Sequence, residues 1–235
     1  MDSLCGHAEV MEIERVVIPA AGDPGFTNNV WIVGDPRGSG GECVVIDASH
    51  DADAIAEAVG DRTVVAIVLT HGHGDHVGAA PRLRDLTGAP VLLHPADRFL
   101  WDVAHPDATP DGDLTDGRDL TVIAVSDGVV EVRHTPGHTP GACVAVVWPD
   151  LTDDSAEHDV VDVNPPLAVL SGDTLFEGGP GATRWDYSSF PTIIASIRDR
   201  ILTLPPATPV HPGHGPSTSV GREAADVEEW IARGW

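Results

Sequence analysis

Short apolar runs separated by turns dominate the chain. Val30, Trp31, Ile32 and Val33 form one β-branched run, and Cys43, Val44, Val45 and Ile46 form another. The stretch 34–41 between them is rich in glycine, so the pair reads as a hairpin with a long loop. Residues 51–59 place Ile55, Ala58 and Val59 on one helical face, with Asp51 near the start. Residues 63–70 are almost continuously apolar, which fits a central strand covered on both faces. A helix is expected over 77–86, ending near Gly88, and strands over 90–93, 120–125, 129–133, 142–148 and 167–170. Over 189–204 Phe190, Ile193, Ile194, Ile197, Ile201 and Leu204 fall on one stripe of a helix. Ser189 can cap that helix, Pro191 fits its first turn, and Pro205 and Pro206 stop it. A last helix is expected over 222–233, and the segments 105–119 and 149–166 read as solvated acidic loops. With no internal repeat or linker, the series predicts one α/β domain of stacked layers over residues 1–235.

Charge narrows the partners. Of 235 residues thirteen are cationic, all of them arginine, against thirty-seven carboxylates, for a formal charge of −24. Such a polyanion repels phosphate backbones and anionic leaflets, which counts against nucleic acid and membrane surfaces as partners. The 42% of apolar residues is enough for a sizeable core. No run approaches the roughly 18 apolar residues of a membrane span, and residues 1–10 lack a basic segment followed by an apolar one. Cys5, Cys43 and Cys143 are odd in number and form no C-x-x-C pair, so neither a disulfide framework nor a thiolate zinc site is expected. A reducing, cytoplasmic setting follows, with Cys43 and Cys143 as thiols inside strands.

The twelve histidines are not scattered. The apolar run 63–70 leads directly into His71, Gly72, His73, Gly74, Asp75 and His76, four candidate ligands within six residues. In an extended chain His71 and His73 point the same way, and the two glycines permit a turn that brings Asp75 and His76 alongside. A single cation needs about three or four ligands and this cluster alone offers four, which suggests either help from elsewhere in the chain or two metals. A lone histidine is more often a capping or core residue, but an H-x-H-x-D-H cluster at a strand end favours metal. His138, Asp173 and His214 each follow a glycine in a tight turn, the first two beside an expected strand. A sheet edge that gathers these loops would bring seven ligands together: His71, His73, Asp75, His76, His138, Asp173 and His214. Imidazole and carboxylate donors without thiolate suit zinc, iron or manganese. His134 and His211 are read as structuring their loops, and His7, His50, His94, His105 and His158 are given no special role.

Thr70 to His76 resembles the T-H-x-H-x-D-H signature of the metallo-β-lactamase superfamily. His138, Asp173 and His214 match its later ligand motifs in order, and the likeness runs from Asn28 to His214. It implies a four-layer αβ/βα sandwich, two mixed β-sheets flanked by helices, with metal at one edge. Within the superfamily, residues 134–141 and 171–176 are most similar to glyoxalase II and its shorter relatives. The resemblance implies two divalent metals, zinc first, with iron or manganese as alternatives. His71, His73 and His138 would hold one, Asp75, His76 and His214 the other, and Asp173 would bridge them. Asp47, at the end of the run 43–46, matches a family aspartate that backs the ligand histidines. The implied reaction is hydrolysis of a thioester or ester by a metal-bridging hydroxide, which Asp75 would orient.

Departures from the pattern bear on the substrate. The helical C-terminal domain with which glyoxalase II binds glutathione has no counterpart, since about twenty residues follow His214. The G-C-G-R-T-D segment usual after the bridging aspartate is replaced within 177–187, which counts against a mono-iron persulfide dioxygenase. Histidine at position 73 disfavours a diiron flavoprotein, Asp173 disfavours β-lactam hydrolysis, and the acidity disfavours transfer RNA. A mono-iron persulfide dioxygenase, lactone hydrolysis and a catalytically silent metal protein stay as alternatives. The expected substrate is a small thioester or ester, including conjugates of a low-molecular-weight thiol such as glutathione or mycothiol. Phe176, Arg184, Trp185 and Tyr187 are the expected substrate contacts, with the arginine pairing a carboxylate and the rings flanking a tail.

Overall fold

The computed structural model describes residues 11–116, 121–149 and 164–234. Strand β2 (Asp23–Gly34) pairs antiparallel with both β1 (Glu12–Ala20) and β3 (Glu42–Ile46), with Trp31 opposite Ile46 in the expected hairpin. Helix α1 (Ala52–Val59) carries the chain over to β4 (Thr63–Val68), which lies parallel to β3. Asp51 caps α1 by accepting from the backbone N–H groups of Asp53 and Ala54. Helices α2 (Gly74–Val77) and α3 (Ala80–Thr87) lead to β5 (Val91–Leu93), and α4 (Arg98–Ala104) to β6 (Gly112–Asp113). These six strands form one sheet in sequence order.

The second sheet contains β7 (Val122–Val125), β8 (Gly128–His134), β9 (Cys143–Pro149) and β10 (Ala168–Gly172). A ribbon of β11 (Leu175–Phe176) and β12 (Gly179–Pro180) follows, then α5 (Phe190–Ser196). The sheet is completed by β13 (Pro209–Pro212) and β14 (Thr218–Ser219), in the spatial order β14-β13-β10-β9-β8-β7. Helices α6 (Val220–Ala224) and α7 (Val227–Arg233) close the described chain.

Side chains alternate across each strand, and that alternation builds the layers. Cys43 and Val45 pack with Ile55 and Leu83 on the helical side of the first sheet, whereas Val44 and Ile46 face inward with Trp31 and Val33. From the second sheet Cys143, Ala145 and Val147 join that inner core, and Val144 and Val146 turn outward onto Ile193, Ile197 and Trp230. Helices, sheet, sheet and helices therefore stack as four layers, as the resemblance implied.

Several elements depart from the expected bounds. The helix expected over 77–86 is two pieces, because Pro81 has no N–H to continue a helix begun earlier and sits instead in the first turn of α3. Gly88 ends α3 in a left-handed conformation, as expected. The helix over 189–204 is capped by Ser189 but widens into a π turn at Ile197–Ile201. The last helix is broken into α6 and α7. The segment 105–119 is not wholly solvated, since β6 pairs with β5 and Leu114 is buried. Most of the segment 149–166 lies outside the described residues, as do His7, His158 and Cys5. No helix among the described residues is long and apolar enough to cross a membrane.

Candidate metal centre

The site sits where both sheets end. β3 and β4 are parallel neighbours in one sheet and β10 and β13 in the other, and the loops after all four carry polar residues to a common edge. Asp47 follows β3, His71 to His76 follow β4, Asp173 follows β10 and His214 follows β13. His138 arrives from the opposite direction, on the loop before β9. Backbone hydrogen bonds lock the edge together. Asn29 donates to the Gly213 carbonyl at 2.7 Å, Gly213 to Gly172 at 2.8 Å and Cys143 to Thr70 at 2.7 Å.

All seven expected ligands converge in overlapping groups, a middle one of His71, His76 and Asp173 joining the two on either side. Donor atoms of His71, His73 and His138 lie within 4.8 Å of one another, as do those of Asp75, His76 and His214. In the first group the Nε2 atoms of His71 and His138 each approach His73 Nδ1 to 3.0 Å. In the second, His214 Nε2 lies 3.2 Å from His76 Nε2 and 3.1 Å from Asp75 Oδ2. Asp173 reaches both, with Oδ1 at 3.3 Å from His76 Nε2 and Oδ2 at 3.6 Å from His138 Nε2.

Outward contacts fix which ring nitrogen is free. His138 Nδ1 donates to the Ala182 carbonyl at 2.8 Å and His214 Nδ1 to the Thr27 carbonyl at 2.8 Å. A carbonyl only accepts, so Nδ1 must carry the proton and Nε2 presents a lone pair inward in the neutral ring. Asp47 Oδ2 holds His76 Nδ1 in the same way at 2.8 Å. Thr70 Oγ1 lies 3.0 Å from both oxygens of Asp47, to which it donates, and so accepts from His71 Nδ1 at 3.1 Å. Tyr187 Oη lies within hydrogen-bond distance of His73 Nε2 at 2.9 Å. Within the first group the Nε2 atoms of His71 and His138 therefore turn lone pairs inward, and the buried Asp173 Oδ1 beside them lacks a well-aligned hydrogen bond. A cation would engage these free donors, and the imidazole and carboxylate set fits divalent-cation binding.

The protonation equilibria differ between the groups. Burial, reinforced by neighbouring histidines, pushes His71 well below its usual pKa and His73 down to about 4, and burial also lowers His138. Burial pushes His76 the same way, but the carboxylates of Asp173 and Asp47 outweigh it and raise the net value. For His214 burial is likewise outweighed, chiefly by its bond to Asp75. Burial would raise Asp75 and Asp173, yet both lie below the usual carboxylate range, Asp75 through His214 and His76, Asp173 through His76.

Aromatic side chains rim the centre. The Trp185 ring lies 4.7 Å from that of His73 and is parallel to the Tyr187 ring at 5.9 Å. Phe99 meets Tyr187 edge-on, and Phe176 lies 6.4 Å from His214. Arg184 stacks over Trp185 at 4.9 Å. Of the four residues expected to touch substrate, Trp185 and Tyr187 border the first group directly, Phe176 borders the second, and Arg184 stands behind Trp185.

Three residues at the site had no assigned role in the sequence. Asn28 Nδ2 donates to Asp75 Oδ2 at 3.1 Å, and His50 Nε2 donates to Asn28 Oδ1 at 2.8 Å, so His50 is tied to the centre after all. Buried Asp97 binds both loops of the first group. Neither Gly72 nor Gly74 has a positive φ, so the expected glycine-enabled turn is not the reason for them. A Cβ on Gly72 would lie 2.8 Å from Leu100 Cβ and 2.9 Å from the Asp97 carbonyl oxygen, so close packing requires that glycine. His134, at the end of β8, donates to the Pro140 carbonyl and stacks on His94, while His211, within β13, bonds Ser217 and stacks on Trp31, so both tie strand ends to the adjoining loops. Cys43 and Cys143 are buried free thiols inside strands, as expected.

A four-layer sandwich with a histidine- and aspartate-rich cation centre on the edge shared by its sheets defines a class of metal-dependent proteins. Residues 22–147 match the family described as the metallo-β-lactamase superfamily, and the chain belongs to it. A protein of Aquifex aeolicus is 35% identical over 84% of this chain and 89% of its own length. The hydroxyacylglutathione hydrolase GloC of Haemophilus influenzae is 27% identical over 91% of this chain and 95% of its own. Among solved structures, the B3 metallo-β-lactamase BLEG-1 superposes with a TM-score of 0.70 at 28% identity, covering 91% of this chain and 97% of that one.

Proposed function

We propose that the protein hydrolyses the thioester of a small acyl group on a low-molecular-weight thiol, with two divalent cations held by the seven converging side chains. The observation that carries the reading is Asp173, whose two oxygens face different donor groups. His71, His73 and His138 would hold one cation, Asp75, His76 and His214 the other, and Asp173 both. When bound, such cations supply a water acidified toward neutral pH and a Lewis acid for the substrate carbonyl. Asp75, kept ionised by His214 and His76 and anchored by Asn28, would orient that water. Trp185, Tyr187 and Phe176 would flank the thioester tail, and Arg184, stacked over Trp185, would pair with a substrate carboxylate. Zinc is the expected metal, and iron or manganese would suit the same donors. A cytoplasmic setting accords with two buried free thiols.

Similarity to GloC supports the thioester, and similarity to BLEG-1 adds a β-lactam to the compounds that need trial. The test is a panel of a hydroxyacyl thioester, a lactone, a β-lactam and a persulfide with oxygen uptake, run on metal-loaded and metal-stripped protein. Thioester turnover lost on stripping and restored by zinc is expected. Undiminished turnover without metal, or oxygen uptake on the persulfide with no thioester turnover, would sink the reading.

A further inference from the structure

Asp97 lies in the turn before α4, fully buried, and grips two loops that are far apart in sequence. Its Oδ2 accepts from the Gly72 backbone N–H at 2.9 Å and from Thr139 Oγ1 at 2.6 Å, and its Oδ1 accepts from the Gly141 N–H at 2.6 Å. Gly72 stands between His71 and His73, and Thr139 follows His138. One carboxylate thus pins the two segments that supply the whole first donor group. The loops have made room for it. A Cβ on Gly141 would lie 2.7 Å from Asp97 Cγ, and one on Gly72 3.1 Å from Asp97 Cβ.

The three partners are all donors, two N–H groups and a hydroxyl, and they use both carboxylate oxygens. An asparagine would offer one accepting oxygen, leaving its NH2 group against a buried N–H or O–H. A carboxylate is therefore needed here, which an ordinary helix cap would not require. The second donor group leans elsewhere: Asp75 on Asn28, His76 on Asp47, and His214 on the Thr27 carbonyl.

We infer that Asp97 is a positioning residue for the His71, His73 and His138 group alone, setting that group's cation affinity without acting on the second. The inference rests on the two-cation reading above. Zinc affinity is measured by chelator competition on full-length protein carrying D97N in two backgrounds: H214A, which isolates the first group, and H138A, which isolates the second. Affinity in the H214A background is expected to fall by about 10–100-fold, as for outer carboxylates that orient metal ligands. In the H138A background it should not move. An equal fall in both, which a merely structural residue would give, overturns the inference, and so does no fall in either. Should the wild-type chain fail to take up two zinc ions, the two-cation reading falls first and takes this inference with it, a result distinct from two bound ions that ignore D97N. Where D97N does not fold, T139V removes one of the three bonds and should give the same selectivity at smaller size; no selectivity overturns the inference equally.

Discussion

The two donor groups adjoin and share Asp173, yet they are supported in opposite ways. The first is an imidazole trio backed by neutral partners, a threonine, a tyrosine and a carbonyl. The second mixes imidazole with carboxylate and is backed directly by Asp47. Burial governs the first, so its rings are driven toward neutrality. Carboxylates govern the second, so His76 and His214 are driven toward the charged form. The same spacing of donors thus meets two protonation equilibria: a cation entering the first group would displace few protons at neutral pH, and one entering the second would displace protons from His76 and His214.

The largest effect should come from the member they share. D173N removes the carboxylate that faces both groups, and thioester turnover should fall by more than the roughly 10–100-fold that loss of a supporting carboxylate costs. Zinc content measured by elemental analysis should drop in both groups; a drop confined to one would break the shared role. Next in size is acid. As pH falls from about 7 toward about 5, the raised pKa values of His76 and His214 favour their protonation, while His73, lowered to about 4, stays neutral. Dialysis at stepped pH should therefore strip the second group first, and simultaneous loss would erase the contrast. The smallest effect is expected from Y187F. It removes the hydrogen-bond partner of His73 Nε2 at a partly open position where water can replace it, so first-group affinity should weaken by less than about tenfold. A change at the second group would show that the rim couples the two.

Much of this was legible in the residues because the informative ones are neighbours in sequence. Four ligands lie within six positions after an apolar strand, and the unbroken apolar run of β4 announces burial on both faces. What was missed has a physical reason in each case. β13 is four residues with a proline at either end, which reads as loop until β10 is seen beside it. β1 mixes charged and apolar residues without a clean buried face. α4 exposes Phe99 and Val103, so no amphipathic stripe marks it. Asn28, His50 and Asp97 carry no local signal, since their partners lie 22 to 186 positions away and only folding brings them together.

The placement of the ligands on the seam between the sheets has a consequence for folding itself. Residues 71–76 belong to the first sheet, while His138, Asp173 and His214 belong to the second, so the donors meet only after the two sheets have docked. A cation that binds this meeting point binds the native chain and not the unfolded one, and it adds to stability in proportion to the logarithm of its free concentration. The metal is then a rivet as much as a reagent: resistance to unfolding should track cellular metal supply, and starvation for metal would endanger the fold along with the chemistry.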